Sequence, residues 1–118
     1  MTDSENNTRS VVSLVKLESY DDQDAMLSAL RELLQPLGGM GSFVLPGQRV
    51  LLKVNLLAPA RPEQAVTTHP ELLRAVIRLV KEAGGIACVG DGPGVGDTRT
   101  NLKACGMAKI IAEEEIGR

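Results

Sequence analysis

Lys53 and Asn55 lie two residues apart inside the apolar run Val50 to Leu57. In an extended chain alternate side chains share a face, so this ammonium and this carboxamide project together from one side of a strand. The pair suits an anion, because the lysine supplies charge while the amide supplies a donor and an acceptor. The plainer alternative is a lysine stem lying along the strand end with its head in water, while Asn55 ties down the following loop; the residues leave the two level. Thr67, Thr68 and His69 then precede Pro70, and His69 is the single histidine of the chain. An imidazole here is able to act as an acid or base. It also reads as a packing element at a helix start, with Thr67 and Thr68 as caps.

A second cluster is the stretch Gly90-Asp91-Gly92-Pro93-Gly94-Val95-Gly96-Asp97. A dinucleotide fingerprint starting at Gly90 requires glycine where the chain has Val95, and no Gly-Lys-Ser/Thr follows to make a nucleoside-triphosphate loop. Amides of Gly92, Gly94 and Gly96 can still line an anion nest, although Pro93 has no donor to give. A plain strand-to-helix turn explains the same residues. Asp91 and Asp97 are too few oxygen ligands for magnesium or calcium, so turn and cap roles are expected of them and no metal site. Cys88 and Cys105 form neither a CxxC pair nor a zinc-like spacing with histidine. They are expected to be reduced thiols, with Cys88 a small buried hydrophobe, and a disulfide is left open.

These clusters need strands and helices to hold them. Val11 to Leu17 (VVSLVKL) is a β-branched run that predicts a first strand. Met26, Leu30, Leu33, Leu34 and Leu37 recur at helical spacing and predict a helix from Asp22 to Leu37, ending near Pro36 and Gly38. Pro46-Gly47 turns the chain into a second strand from Arg49 through Leu57, apolar on both faces as in a central parallel strand covered by helices on each side. Thr68-His69-Pro70-Glu71 predicts a capping box, followed by a helix whose buried stripe is Leu73, Val76, Ile77, Val80 and Ala83. Its charged residues, Arg74, Arg78, Lys81 and Glu82, read as a solvated face. Ile86 to Val89 is a third strand, Thr98 or Thr100 caps a short helix to Cys105, and Met107 to Glu115 forms a last amphipathic segment.

A β-α-β-α-β-α order predicts an α/β fold: a three-layer parallel sheet with right-handed crossovers, Rossmann-like but without the dinucleotide fingerprint. The last helix should lead to another strand, so the fold is expected to be incomplete. Residues 1–10 read as a disordered tail and residues 11–118 as the N-terminal portion of one α/β domain. At 118 residues with 43% hydrophobic and 24% charged content, the chain is long enough for one core. Aromatic content is 2%, the formal charge is -2 and the pI is about 5.4, so neither stacking platforms nor a basic face for nucleic acid is expected. No secretion signal and no apolar run of membrane-spanning length is present, which predicts a cytoplasmic chain with no membrane partner.

RVLLKVNLL, AVTTHPELLRAVIRLVKEAGG and VGDGPG together resemble the opening of the domain of unknown function 362 family, whose members are often described as uncharacterised iron-sulfur proteins. The likeness covers nearly all of Val11 to Glu115. By that resemblance Lys53, Asn55, Thr67, Thr68, His69 and Pro70 match the family's loop motif, and Gly90, Asp91, Pro93 and Gly94 its glycine loop. Many members carry a C-terminal ferredoxin-like segment with two four-iron clusters. Each cluster needs about four thiolates, and this chain has two cysteines, so the resemblance implies no cofactor here and iron-sulfur clusters only in a missing C-terminal segment.

The expected function is therefore that of the N-terminal α/β part of a redox-linked protein. A small anionic metabolite or cofactor would sit at Lys53, Asn55, Thr67, Thr68, His69, Gly90, Asp91, Gly92 and Gly94, and the isolated chain would be inactive. The alternative is a non-enzymatic interaction or oligomerisation module, whose partner is another copy or the missing C-terminal region.

Overall fold

Exposure alternates along Arg49–Lys53, strand β1, an apolar run between two basic residues that pairs in parallel with β2, Ile86–Gly90. Both belong to a computed structural model that describes residues 9–116. The register sets Arg49 opposite Ile86 and Lys53 opposite Gly90, so the two strands deliver their following loops to the same edge. Among the described residues the sheet has these two strands. Helices α1 (Gln23–Leu34), α2 (Pro70–Glu82), α3 (Thr98–Ala104) and α4 (Met107–Glu113) complete the order, with three short 3-10 turns between them.

The inner sheet face carries Val50, Leu52, Val54, Ala87 and Val89 into a core shared with Leu73, Ile77 and Val80 of α2, Leu102 of α3, and Met107 and Ile110 of α4. Leu56 and Ile77 are fully buried there. Helix α2 is the hub, packing against α1 on one side and α4 on the other. Its buried set is Leu73, Ala75, Ile77, Leu79 and Val80, wider than a single stripe because it has neighbours on several sides. At Gly85 a side chain would lie 2.5 Å from Val44 Cγ1 and 2.9 Å from Val80 Cγ1, so glycine alone lets the chain leave α2 this close to the core.

Several sequence expectations change. The first strand is absent: Val11 to Leu17 runs without helix or strand pairing, and Val11, Val12 and Leu14 are exposed. The sheet is therefore two strands rather than three, and its outer face is bare, with Leu51 64% and Ile86 57% exposed, instead of covered by a second helical layer. Helix α1 stops at Leu34 rather than Leu37, because Pro36 sits in a 3-10 turn and Gly38 takes φ 97°. Strand β1 ends at Lys53, and residues 54–57 continue as irregular chain whose alternate residues Val54 and Leu56 remain buried. Cys105 is buried and Cys88 only half-buried, the reverse of the emphasis expected, and both thiols are free. Burial pushes the Cys105 thiol above its ordinary pKa, as befits an inert core cysteine. The expected tail falls mostly on residues 1–8, outside the described residues.

The charged face of α2 is not simply solvated. The Arg74 side chain is 14% exposed and bonds Glu71 at 3.0 Å, Glu114 at 2.8 Å and also Glu113, pinning α2 to the end of α4. Burial works against its charge, but the hydrogen bonds with Glu113, Glu114 and Glu71 outweigh it and hold the guanidinium above its ordinary pKa. Glu114 has the mirror balance: burial raises it, and bonds from Arg78 and Arg74 bring it below the ordinary carboxylate value. Arg78 and Lys81 also reach Glu114, the latter at its carbonyl oxygen.

Candidate functional site

The carboxyl ends of β1 and β2 are joined by one side chain. Asp91, just past β2, accepts the Leu56 amide at 3.0 Å through Oδ2 and the Lys53 ammonium at 2.9 Å through Oδ1. The backbone bond from Leu56, with Lys53 and the Gly92 amide adding to it, holds the Asp91 carboxyl below its ordinary range. The pair is lopsided: the Asp91 side chain is 8% exposed and Lys53 75%. The acid is spent on fixing the two strand ends, while the lysine side chain bonded to it stays largely exposed.

The loop after β1 folds back on its own start. Asn55 donates its backbone amide to Thr68 Oγ1 at 2.9 Å, Thr68 returns its amide to the Asn55 carbonyl at 3.0 Å, and Asn55 Nδ2 bonds the Val66 carbonyl at 3.0 Å. Lys53 and Asn55 do share the exposed face, as the strand period requires. Thr67 Oγ1 is buried in this turn with no hydrogen-bond partner among the described residues. The loop also touches the glycine loop, since Val95 donates to the Leu57 carbonyl at 2.9 Å. Leu57 stands there at φ 45°, a left-handed conformation that costs a branched residue about 1–2 kcal/mol. Strain of this kind persists only where the surrounding structure over-determines the conformation, as the Val95 bond does here.

His69 is placed elsewhere. Its Nδ1 accepts the Glu71 amide at 3.1 Å, which makes it the N-cap of α2 in place of the expected Thr68. Its ring stacks on Tyr20, centroids 3.9 Å apart and planes within 4°. The Glu71 side chain, expected to close a capping box, instead accepts from Gln23 at 3.0 Å and Arg74 at 3.0 Å.

In the glycine loop, Asp97 takes the cap role expected of it, accepting the Thr100 amide and hydroxyl, both at 2.9 Å, so that neither Thr98 nor Thr100 is the cap of α3. Those two bonds, led by the Thr100 amide, keep the Asp97 carboxyl below its ordinary range. Asn101 is fully buried and clamps the loop through Nδ2 to the Val95 and Asp97 carbonyls. Gly96 has φ 77° and would bring a side chain to 3.0 Å from that amide, so this turn requires glycine. Gly92 and Gly94 are exposed on the solvent side of the loop. Among the described residues no three metal-ligating side chains converge.

A family model described as "Domain of unknown function (DUF362)" matches residues 50–118. The chain belongs to this family. The match takes in β1, both loops of the site and helices α2 to α4, whereas α1 and the Val11–Leu17 segment precede it. The chain is also 52% identical over 105 residues to the "Thylakoid-associated protein sll1697" of Synechocystis sp., a match that covers 89% of this chain and 32% of that protein. This chain therefore spans about a third of the length of that relative. No solved structure matches.

Of the site residues named from sequence, the structure brings Lys53 to Asp91, and Asn55 to Thr68. His69 is turned toward Tyr20 and Glu71. Sequence reasoning missed the clamp role of Asp91 and the Tyr20 lid on His69. The signal for the first was present, since an acid directly after β2 falls beside a lysine at the end of β1 once the parallel register is known. Tyr20 gives no comparable signal, because nothing in the sequence sets it beside a residue so far along the chain.

Proposed function

We propose that this chain is the N-terminal α/β part of a larger protein, and that it binds a small anionic metabolite or cofactor across the loops that follow β1 and β2. The observation that carries this reading is the Lys53–Asp91 pair, in which a buried, doubly engaged carboxylate holds an exposed ammonium at the carboxyl ends of two parallel strands. Open α/β sheets place ligands at that edge. A lysine whose position is already fixed needs little ordering on binding. Gly94 would offer its backbone amide to the anion, Asn55, Thr67, Thr68, Gly90, Asp91 and Gly92 would shape the wall behind it, and His69 would act only by fixing the entry to α2.

The test is ligand-induced thermal stabilisation across a panel of phosphates, nucleotides, flavins and carboxylates. One or more of these should raise the melting temperature of the chain, and Lys53→Ala should abolish the rise; an unchanged rise in Lys53→Ala removes the lysine from the site.

Iron-sulfur clusters do not fit these residues. A four-iron cluster takes about four thiolates, whereas one of the chain's two cysteines is buried in the core and both are free. In this reading any cluster belongs to sequence outside the chain, and the isolated chain is inactive. The complete fold would add strands and a second helical layer to the sheet described here. The same reading expects the chain in the cytoplasm, and the relative's name supplies the competing outcome, recovery with thylakoid membranes on fractionation. Among the described residues no helix is long and apolar enough to cross a membrane.

The bare outer face, with Leu51 and Ile86 exposed, favours a second reading: an interaction module that docks another copy or the remainder of the protein there. Sedimentation should then show self-association that the double substitution Leu51→Glu and Ile86→Glu abolishes. A wild-type chain that stays monomeric at high concentration would speak against another copy as the partner.

A further inference from the structure

We infer that the segment Val11–Leu17 docks as a third, parallel strand on the free edge of β1. The edge is built to receive one. In the parallel pairing Ile86 donates to the Gln48 carbonyl and Val54 to the Gly90 carbonyl, so even-numbered residues of β1 face β2. Leu51 and Lys53 then direct their amides and carbonyls the other way. The same edge continues at Asn55, where Thr68 already supplies both a hydroxyl acceptor and an amide donor. The open stretch is thus bounded by Thr68 at its carboxyl end.

The segment lies against the first helix, with Val15 and Leu17 beside Met26, Leu30 and Leu72, and its carboxyl end is tethered near this edge. Tyr20, three residues beyond Leu17, stacks on His69, which follows the β1 loop, and Gln23 bonds Glu71 in the first turn of α2. The carboxyl end of the segment is therefore anchored near the carboxyl end of β1, and a strand running back from there along the edge would be parallel to β1. Seven extended residues span roughly 23 Å, enough to cover a five-residue strand of roughly 17 Å. The chain then passes through α1, which packs on α2, and returns to the start of β1. With α1 and α2 side by side, a strand under α1 completes a β-α-β crossover of the usual hand.

Packing also leaves room for it. Only Met26 of α1 is fully buried, and Leu27, Leu30, Leu33 and Leu34 are half-covered. One apolar gap lies between the segment and the helices, lined by Val15, Leu17, Met26, Leu30, Leu33 and Leu72. A second runs along β1, lined by Leu51, Leu52, Val54, Leu72, Leu73 and Val76. Leu72 walls both, so a strand laid against β1 closes the two together. Leu14, 93% exposed in the present arrangement, would then have Leu51 as a neighbour on the outer face.

Residue-resolved hydrogen exchange on the 118-residue chain tests this with an internal control. Amides of Leu52 and Val54 are protected by β2 in any case, whereas those of Leu51 and Lys53 gain partners only from a docked strand. The expected result is comparable protection at all four, and a loss of at least tenfold at Leu51 and Lys53 alone in Val15→Pro, which removes an inner-face amide directed at β1 from the middle of the segment. Val15→Ala, which keeps that amide, should retain the protection. Fast exchange at Leu51 and Lys53 in the wild-type chain overturns the proposal, as does protection that survives Val15→Pro or that falls on dilution, the last being the mark of a strand from another copy.

Discussion

Asp91 shares its carboxylate between the Leu56 amide and the Lys53 ammonium, so it ties the two loops of the site with a group whose charged form the fold prefers. A carboxyl held below its ordinary value of 3.8 adds stability above that pH, and the addition is lost as pH falls through the lower, folded value. Asp91→Asn keeps an acceptor for Leu56 but loses the pair with Lys53. Chemical denaturation from pH 7 downward should therefore show the variant less stable at neutrality, with the gap to the wild-type chain narrowing once the pH drops below 3.8. Parallel stability curves over the whole range would contradict the clamp. At this scale the sequence was informative about residue types and poor at partners. The strand period correctly put Lys53 and Asn55 on one face, but only the fold could show that Asn55 Nδ2 is used on Val66 and that His69 caps a helix under Tyr20.

Among the elements, α2 is where the periodic signal was strongest and where it misled about the surface. Apolar spacing predicts the helix well, from Pro70 to the glycine pair, yet the same pattern assigns Arg74 to solvent. Helical spacing records which face is apolar, not which polar residue another element will cover, and the end of α4 covers this one. Arg74→Ala should cost about 2 kcal/mol, because it takes the shared partner from Glu71, Glu113 and the largely buried Glu114 at once. Arg74→Lys should recover less than half, since one ammonium cannot serve three carboxylates in the fork geometry of a guanidinium. Arg78→Ala, at a more exposed pair, should cost below about 1 kcal/mol. Equal losses for Arg74→Ala and Arg78→Ala in urea denaturation would mean that the pin between α2 and α4 is no stronger than a surface ion pair. The β-branched run Val11–Leu17 teaches the converse: strand propensity was legible, but pairing depends on a non-local edge that no local pattern encodes.

For the whole molecule, the α/β class and the parallel pairing were readable because β1, α2 and β2 alternate with clear glycine and proline boundaries. The layer count was not. Apolar residues on both faces of β1 imply two covers, and among the described residues the helices supply one, leaving Leu51 and Ile86 uncovered. The relative's length gives that uncovered face a context, since this chain matches 32% of it. Anion binding at the sheet edge turns on the Lys53 ammonium beside Asp91. It is checked by titrating the chain with inorganic phosphate while following backbone amide resonances. Saturable shifts concentrated at Lys53 and at Gly92 through Gly96, absent in Lys53→Ala, are expected; saturable shifts located elsewhere, or the same shifts in Lys53→Ala, would rule it out.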